Sequence, residues 1–406
     1  MNSAIGSAEP TNAVNTNNHK GVRQLGLCIF LVGLSCFAQL YLFQPIMPDL
    51  AKKFNINPAE SSFAVSFSTL GMTIGLFCGI FFADLISRKK LISIALISSS
   101  LLTILSSLAG NFWLLIAMNT LKGILLAGSA SVVVAYIAEE VHPSVLGTVT
   151  SMNIAGNAVG GMSGRIVTTL LTGWFSWQWA AFIIGFLCLA GGLIFARIAP
   201  ESLHFTPVRI NIRKKLGEMR RQLHVPVLFS LFILGFILLG CFVSVYNYLG
   251  FRLENPPFSL PHHQIALIYL MYIVGSIGSI SGGILSDRFG TGKVLSLMML
   301  CMLISLSLFL PSSLLALTLG LGAFTFVFFG AHAVVSRVVA QYIPLQRSTS
   351  ISMYFLFYYL GSSILGSGTG VVMHHWGWTA FVLAIGIPVM FGLLLALRVR
   401  HAPEKR

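Results

Sequence analysis

Lys122, Arg165 and His332 ask most plainly for chemistry, because each interrupts a long apolar run. A charge at mid-bilayer costs roughly 2.5–3.5 kcal/mol on insertion scales, so such groups normally face a cavity or a partner. Lys122 lies near the middle of its run. Arg165 sits about two helical turns beyond the middle of the next, and His332 slightly short of the middle of a later one. Each also has a plain structural reading. Lys122 reads equally as a local pair or a snorkelling stem, Arg165 as a bond to loops, and His332 as a bond to a backbone carbonyl. Histidine titrates near pH 6.5 when unperturbed, so His332 is the first candidate for proton exchange and Asp49 the second. Tyr41, Gln44, Tyr246, Asn247, Tyr354 and Tyr358 can add rings and hydrogen bonds to a pocket, although tyrosine also anchors helices at membrane interfaces. None of the 11 acids falls mid-run, and Gln39 and Gln44 alone supply strong polarity in the first run. A pocket built this way is positive, and Coulomb repulsion in a low dielectric disfavours a cationic ligand.

A second kind of site lies between runs. In "ADLISRKKLI" Asp84 is followed four residues later by Arg88, Lys89 and Lys90. The cations orient topology, but an acid contributes little to that. A carboxylate gains about 0.3–1 kcal/mol beside a helix N-terminus, which makes Asp84 a candidate contact to another helix. Arg88 can pair with Glu139 or Glu140 at the end of the fourth run.

The elements that must hold these residues are membrane helices. The chain has 406 residues, 56% hydrophobic and 9% charged, with mean hydropathy +0.86. Soluble domains carry about 25% charged residues. Runs of eighteen or more apolar residues, each long enough to span a bilayer core of about 30 Å, begin near Leu25, Ser61, Leu91, Phe112, Leu146, Trp179, Val225, His263, Val294, Leu314, Ser350 and Trp378. The fold class is therefore an all-α membrane protein of twelve transmembrane helices. Most of the 25 lysines and arginines fall in connections on one side, including Arg209, Lys405 and Arg406. Only Lys52, Lys53 and Arg252 fall on the other. This bias puts both termini in the cytoplasm. It also assigns the net charge of +14 to topology and anionic lipid rather than to nucleic acid. The six cysteines lie in runs without a CxxC pair, so neither a disulfide framework nor a metal site is indicated. Trp174, Trp177, Trp179, Trp376 and Trp378 read as interfacial anchors.

Residues 1–20 read as a disordered tail without a cleaved signal. Residues 21–199 form one six-helix bundle and 226–400 a second, joined by the polar segment 200–225 and followed by a tail at 401–406. Within the linker, Ile210 to Leu223 reads as an amphipathic surface helix with Leu216 and Met219 inward, or as a plain connection. The halves repeat. "FAQLYLF" from Phe37 matches "FVSVYNY" from Phe242, and "GNAVGGMSG" from Gly156 matches "GSSILGSGTG" from Gly361, both at an offset of 205. Asp84 recurs as Asp287 at 203. Parallel six-helix repeats are a transporter architecture with the substrate site between halves.

Two such repeats, each with an acidic–basic loop after its second helix, resemble the major facilitator superfamily. Its loop motif reads approximately Gly-x-Leu-x-Asp-Arg-x-Gly-Arg-Lys. Asp84, Arg88 and Lys89 match it, with Ile80 and Ser87 at its glycines. The second copy keeps Gly283, Asp287, Arg288 and Gly290, with Thr291 at the later Arg. Gly156, Gly160 and Gly164 resemble the family's antiporter motif, with Gly161 at its usual Pro and Arg165 at its terminal Gly. Asn119, Lys122 and Gly123 stand where the family has Arg-x-x-Gln-Gly. "AEEVHPS", "PESLHF", "GAHAVV" and "YYLGSS" are similar to a YnfM-like (acriflavine-sensitivity) branch of bacterial inner-membrane exporters.

The resemblance implies a non-enzymatic, monomeric exporter working by alternating access. It implies no cofactor, protons as the coupling ion, and drugs or metabolites as cargo. Together with the positive pocket, that cargo is anionic, zwitterionic or neutral and amphipathic. The first, fourth, seventh and tenth helices would line the cavity, bringing Lys122 and His332 to it. Asp84 would meet the start of the eleventh helix and Asp287 the start of the fifth. With Arg88, Glu139, Glu140 and Arg288 they would form a latch made only when the inner face is closed. A uniporter or importer, or a transport-inactive sensor, are the alternative readings.

Overall fold

The computed structural model describes residues 19–142, 144–203, 205–207, 211–343 and 346–400. Positions 1–18 of the expected N-terminal tail, the tail at 401–406 and Arg209 lie outside them. The described residues form α1 (His19–Leu40), α2 (Met47–Phe54), α3 (Pro58–Ser61), α4 (Phe63–Phe82), α5 (Arg88–Ser106), α6 (Phe112–Glu140), α7 (Leu146–Trp174) and α8 (Trp177–Ile198). They continue as α9 (Ile212–Leu223), α10 (Pro226–Glu254), α11 (His262–Ile268), α12 (Tyr272–Phe289), α13 (Thr291–Ser307), α14 (Leu314–Tyr342) and α15 (Arg347–Arg400). Nine helical stretches among them are long and apolar enough to cross a membrane. The fifth sequence-predicted span is α7, whose Asn, Ser and Gly lower its hydropathy. The ninth is α13, 17 residues long. The last two form α15, which breaks at Gly377 (φ 75°), a backbone conformation open essentially to glycine alone.

Lipid gives helices no hydrophobic reason to associate, so close backbone approach has to supply the packing. Glycines set that approach and the register. A Cβ on Gly156 would fall 2.2 Å from the carbonyl of Phe30, and one on Gly361 would fall 2.0 Å from that of Phe236. The repeat seen in sequence is thus a repeat in space. α7 lies parallel to α1, and the first stretch of α15 lies parallel to α10, each locked at an equivalent glycine. Gly71 and Gly75 bring α4 parallel to α6. Gly278 and Gly282 do the same for α12 and α14. α1–α8 and α10–α15 therefore form two bundles of matching design.

The two acidic–basic loops differ in backbone. Gly290 turns α12 into α13 at φ 87°, whereas Ser87 caps α5 at φ −57°. Glycine is required only at the second. The face carrying Arg88, Lys89, Arg197, Arg288 and Arg337 is called here the basic face, and the opposite one the far face.

The linker is tied at both ends. Tyr136 donates to the Pro200 carbonyl at 2.6 Å, Lys89 reaches Glu201 at 2.6 Å, and Arg88 stacks over Phe205. Its helix α9 starts at an Asn211 cap and docks on the second bundle. Glu218 accepts the Thr349 hydroxyl at 3.1 Å and Gln222 donates to Gln346 at 3.2 Å. Met219 is buried as expected, but Leu216, expected inward, stays 43% exposed. Two tryptophans also correct the sequence reading. Trp174, Trp179 and Trp376 are exposed, whereas Trp177 packs against Phe43 and Phe54, and Trp378 is buried with its Nε1 donating to Phe309.

Gly156→Ala forces a methyl into the Phe30 carbonyl. It is expected to cost about 1–3 kcal/mol of stability, read as a lower melting temperature in detergent. Gly147→Ala, with nothing within 4 Å, is the control. Equal melting of the two variants would refute the packing argument.

Candidate functional site

Arg165, on the far half of α7, is fully buried. Its Nε donates to Gln44 Oε1 at 2.7 Å and its Nη1 to the Gly161 carbonyl. Three rings surround the guanidinium. The Tyr41 centroid lies 4.6 Å away, Tyr272 4.9 Å and Tyr246 5.2 Å. Each such cation–π contact adds about 0.5–2 kcal/mol. Nη2 is buried without a hydrogen-bond partner among the described residues, and no ion pair to Arg165 appears among them.

The cage joins the bundles. Tyr41, Gln44 and Arg165 come from the first; Tyr246, Asn247 and Tyr272 come from the second. Gln44 bridges them, donating to Asn247 Oδ1 at 2.7 Å while accepting from Arg165. Asn247 in turn donates to the Gly366 carbonyl at 3.1 Å, and Tyr246 pairs with Thr325 at 2.9 Å. Tyr41 and Tyr246 are equivalent positions of the repeat and flank one guanidinium.

Further bonds between bundles cluster in the same half: Ser62–Ser367 at 3.0 Å, Thr69–Ser363 at 2.9 Å, Lys52–Glu254 at 3.2 Å and His262–Asp49 at 3.2 Å. The far face is closed. Toward the basic face lies a cavity of about 160 Å³ whose wall includes Gly33, Phe37, Ser129, Asn153, Asn157 and Tyr359. Phe37, on the cavity wall, neighbours the Tyr41 ring, which in turn lies against the guanidinium.

The other sequence candidates are placed elsewhere. Lys122 is buried but does not line this cavity. Its Nζ donates to Asn119 at 2.8 Å and lies over the Phe43 ring, while Asn119 donates to the Ala64 carbonyl. Depth in the membrane was legible for Lys122; the helix face was not. His332 is half-buried between α14 and α15, its Nδ1 2.8 Å from the Tyr354 hydroxyl and its ring stacked on Tyr358 at 4.6 Å. It bonds a side chain rather than a backbone carbonyl.

At the basic face Arg88 joins Asp84 at 2.7 Å and Glu139 at 3.0 Å. That pair was expected on closure of the basic face, yet it is present with the cavity on that side. Glu140 is buried at the end of α6. Asp287 pairs with Arg337 at 2.7 Å, and Arg288 lies over Phe289. In this state both loop carboxylates thus bond within their own bundle. The acid at the start of α15 is Glu218, through Thr349. Sequence reasoning missed Glu218, Arg337, Tyr272, Glu254 and His262, whose partners lie far off in the chain.

Two repeated bundles of membrane-length helices, meeting at a buried polar cage with a cavity on one side of it, have the architecture of a multi-pass membrane transporter. The sequence model of the Major Facilitator Superfamily matches residues 27–280 and 255–406. The inner membrane transport protein YnfM of Escherichia coli is 36% identical over 380 residues, covering 92% of this chain and 90% of its own. A benzoate transport protein of Acinetobacter baylyi is 25% identical, covering 87% and 84%. The solved structure of a D-xylose–proton symporter superposes with a TM-score of 0.77 at 15% identity, covering 94% and 98%. The chain belongs to the major facilitator superfamily, whose members are transporters and not enzymes.

Gln44→Leu removes the acceptor of the Arg165 Nε and the bridge to Asn247. An unsatisfied buried donor costs about 1–3 kcal/mol, so the variant should melt earlier in detergent. An unchanged melting temperature would show that the guanidinium does not depend on Gln44.

Proposed function

We propose that this protein is a secondary active transporter that exports small organic anions by alternating access in exchange for protons, with the basic face in the cytoplasm. The observation that carries the reading is Arg165. A buried guanidinium without a carboxylate partner among the described residues forgoes the charge pairing such groups normally have. An incoming carboxylate supplies it with a planar, charge-assisted pair. Tyr41, Tyr246 and Tyr272 suit an aromatic or amphipathic body on that carboxylate. Because the cage is built by both bundles, ligand binding and the rocking of the bundles are the same event. The benzoate specificity named for the Acinetobacter relative supports an aromatic carboxylate as the first probe. The excess of cations at the basic face supports the orientation. His332, bonded to Tyr354 beside the tyrosines of α15, is the proton-exchanging group on this reading, with Asp49 second. Asp84 and Asp287 act as a latch that engages when the basic face closes.

Labelled benzoate counterflow in proteoliposomes tests this. Arg165→Gln should lower it about tenfold to a hundredfold, the equivalent of roughly 1.5–3 kcal/mol for hydrogen bonds to a charged group. Wild-type rates in that variant, or ligand-induced stabilisation by organic cations in place of carboxylates, would overturn the anion reading. An imposed pH gradient should drive wild-type exchange and fail to drive His332→Ala. Indifference of the wild type to the gradient identifies a uniporter. Asp84→Asn should slow transport at equal membrane abundance, and an equal rate would remove it from the latch.

A further inference from the structure

Three ligand-type atoms converge at the far face. His262 Nε2 lies 3.2 Å from Asp49 Oδ2 and 3.9 Å from Glu254 Oε1, and all three atoms fall within 4.8 Å of one another. Asp49 stands on α2 in the first bundle. Glu254 ends α10 and His262 begins α11 in the second. One oxygen of Glu254 accepts Lys52 at 3.2 Å. The other, Oε1, is buried without a hydrogen-bond partner among the described residues, on a side chain only 8% exposed. A carboxylate oxygen in that position is a vacant acceptor directed at the imidazole and the second acid.

We propose that Asp49, Glu254 and His262 form a zinc site that exists only while the far face is closed. One imidazole and two carboxylates make a three-ligand zinc set with a fourth position open to water. Zinc bonds of about 2.0–2.2 Å place tetrahedral ligand atoms roughly 3.3–3.6 Å apart. Shifts of tenths of an ångström would bring the two His262 distances, 3.2 and 3.9 Å, into that range, and the two carboxylates, within 4.8 Å of each other, have to close by about 1 Å at most. Calcium takes about six to eight oxygen ligands and magnesium prefers an all-oxygen shell, whereas an imidazole among the ligands favours zinc. Lys52 opposes a cation, but its side chain is 74% exposed and free to swing into water. Because the ligands come from both bundles, opening the far face pulls the site apart. By linkage, an ion that binds only the closed arrangement shifts the population toward it. Zinc is then an inhibitory effector acting from the far side. The sequence alone indicated no metal site, because Asp49 and the other two ligands stand some two hundred positions apart. The inference rests on far-face geometry and is independent of the cargo.

The test uses the full chain in detergent with zinc chloride alone. Calorimetry should show one tight site, weakened at least tenfold in His262→Ala and in Glu254→Gln, and unchanged in His263→Ala and in a His374→Ala/His375→Ala double variant. Glu254→Gln keeps the side-chain shape, so a loss there cannot be assigned to misfolding if its zinc-free melting matches the wild type. Hydrogen exchange should slow on zinc addition in both 47–54 and 250–268. Binding that survives in His262→Ala and Glu254→Gln, no binding, or protection confined to one bundle each overturns the proposal.

Discussion

A buried guanidinium with no acid beside it among the described residues has to be held by dipoles and π-faces. In this chain those come from two separate bundles. Arg165 takes a carboxamide and a ring from the turn after α1, a carbonyl from its own helix, and two rings from α10 and α12. That arrangement helps hold the far face shut, and it leaves Arg165 Nη2 without a hydrogen-bond partner among the described residues. Polar satisfaction in a membrane interior is usually a constraint on folding. Here the same constraint ties the closed state to groups contributed by both bundles.

The surrounding scaffold is repetitive for a physical reason. Each bundle presses a glycine of its fifth helix onto a carbonyl of its first, at Gly156 on Phe30 and Gly361 on Phe236. That contact fixes the register of α1, whose following turn carries Tyr41, and of α10, which carries Tyr246. The two tyrosines reach one guanidinium because they are equivalent positions in two equally registered bundles. The repeat is broken at Arg165, which has no basic counterpart at the equivalent position of the second bundle, where Gly370 stands instead and packs against the Tyr248 hydroxyl and Ala59.

Much of this was legible in sequence. Apolar run length and cation placement gave the spans, and the 205-residue offset gave the two bundles. Tyr41, Gln44, Arg165, Tyr246 and Asn247 were all named from residue type and depth, and the structure gathers them into one cage. Depth does not reveal helix face, however. Lys122 and His332 look like Arg165 by that measure, yet one turns to Asn119 and the other to Tyr354. Trp177 and Trp378 sit where interfacial anchors belong, but their rings fold back over Phe43 and Phe309. Pairings such as Asp49–His262 and Glu218–Thr349 join residues more than a hundred positions apart, and no local pattern encodes them.

The linker sets a mechanical limit on any rocking of the bundles. Its first part is pinned to the first bundle as far as Phe205, and α9, which starts at Ile212, is pinned to the second through Glu218 and Gln222. Only seven Cα steps join Phe205 to Ile212, about 25 Å of chain at full stretch. The chain between the bundles is therefore a short leash with two cleats. While both cleats hold, the gap at the basic face has a fixed ceiling. A wider opening has to strip Glu201 from Lys89 or lift α9 from α15, so stroke length is governed by a few surface bonds outside the transport path.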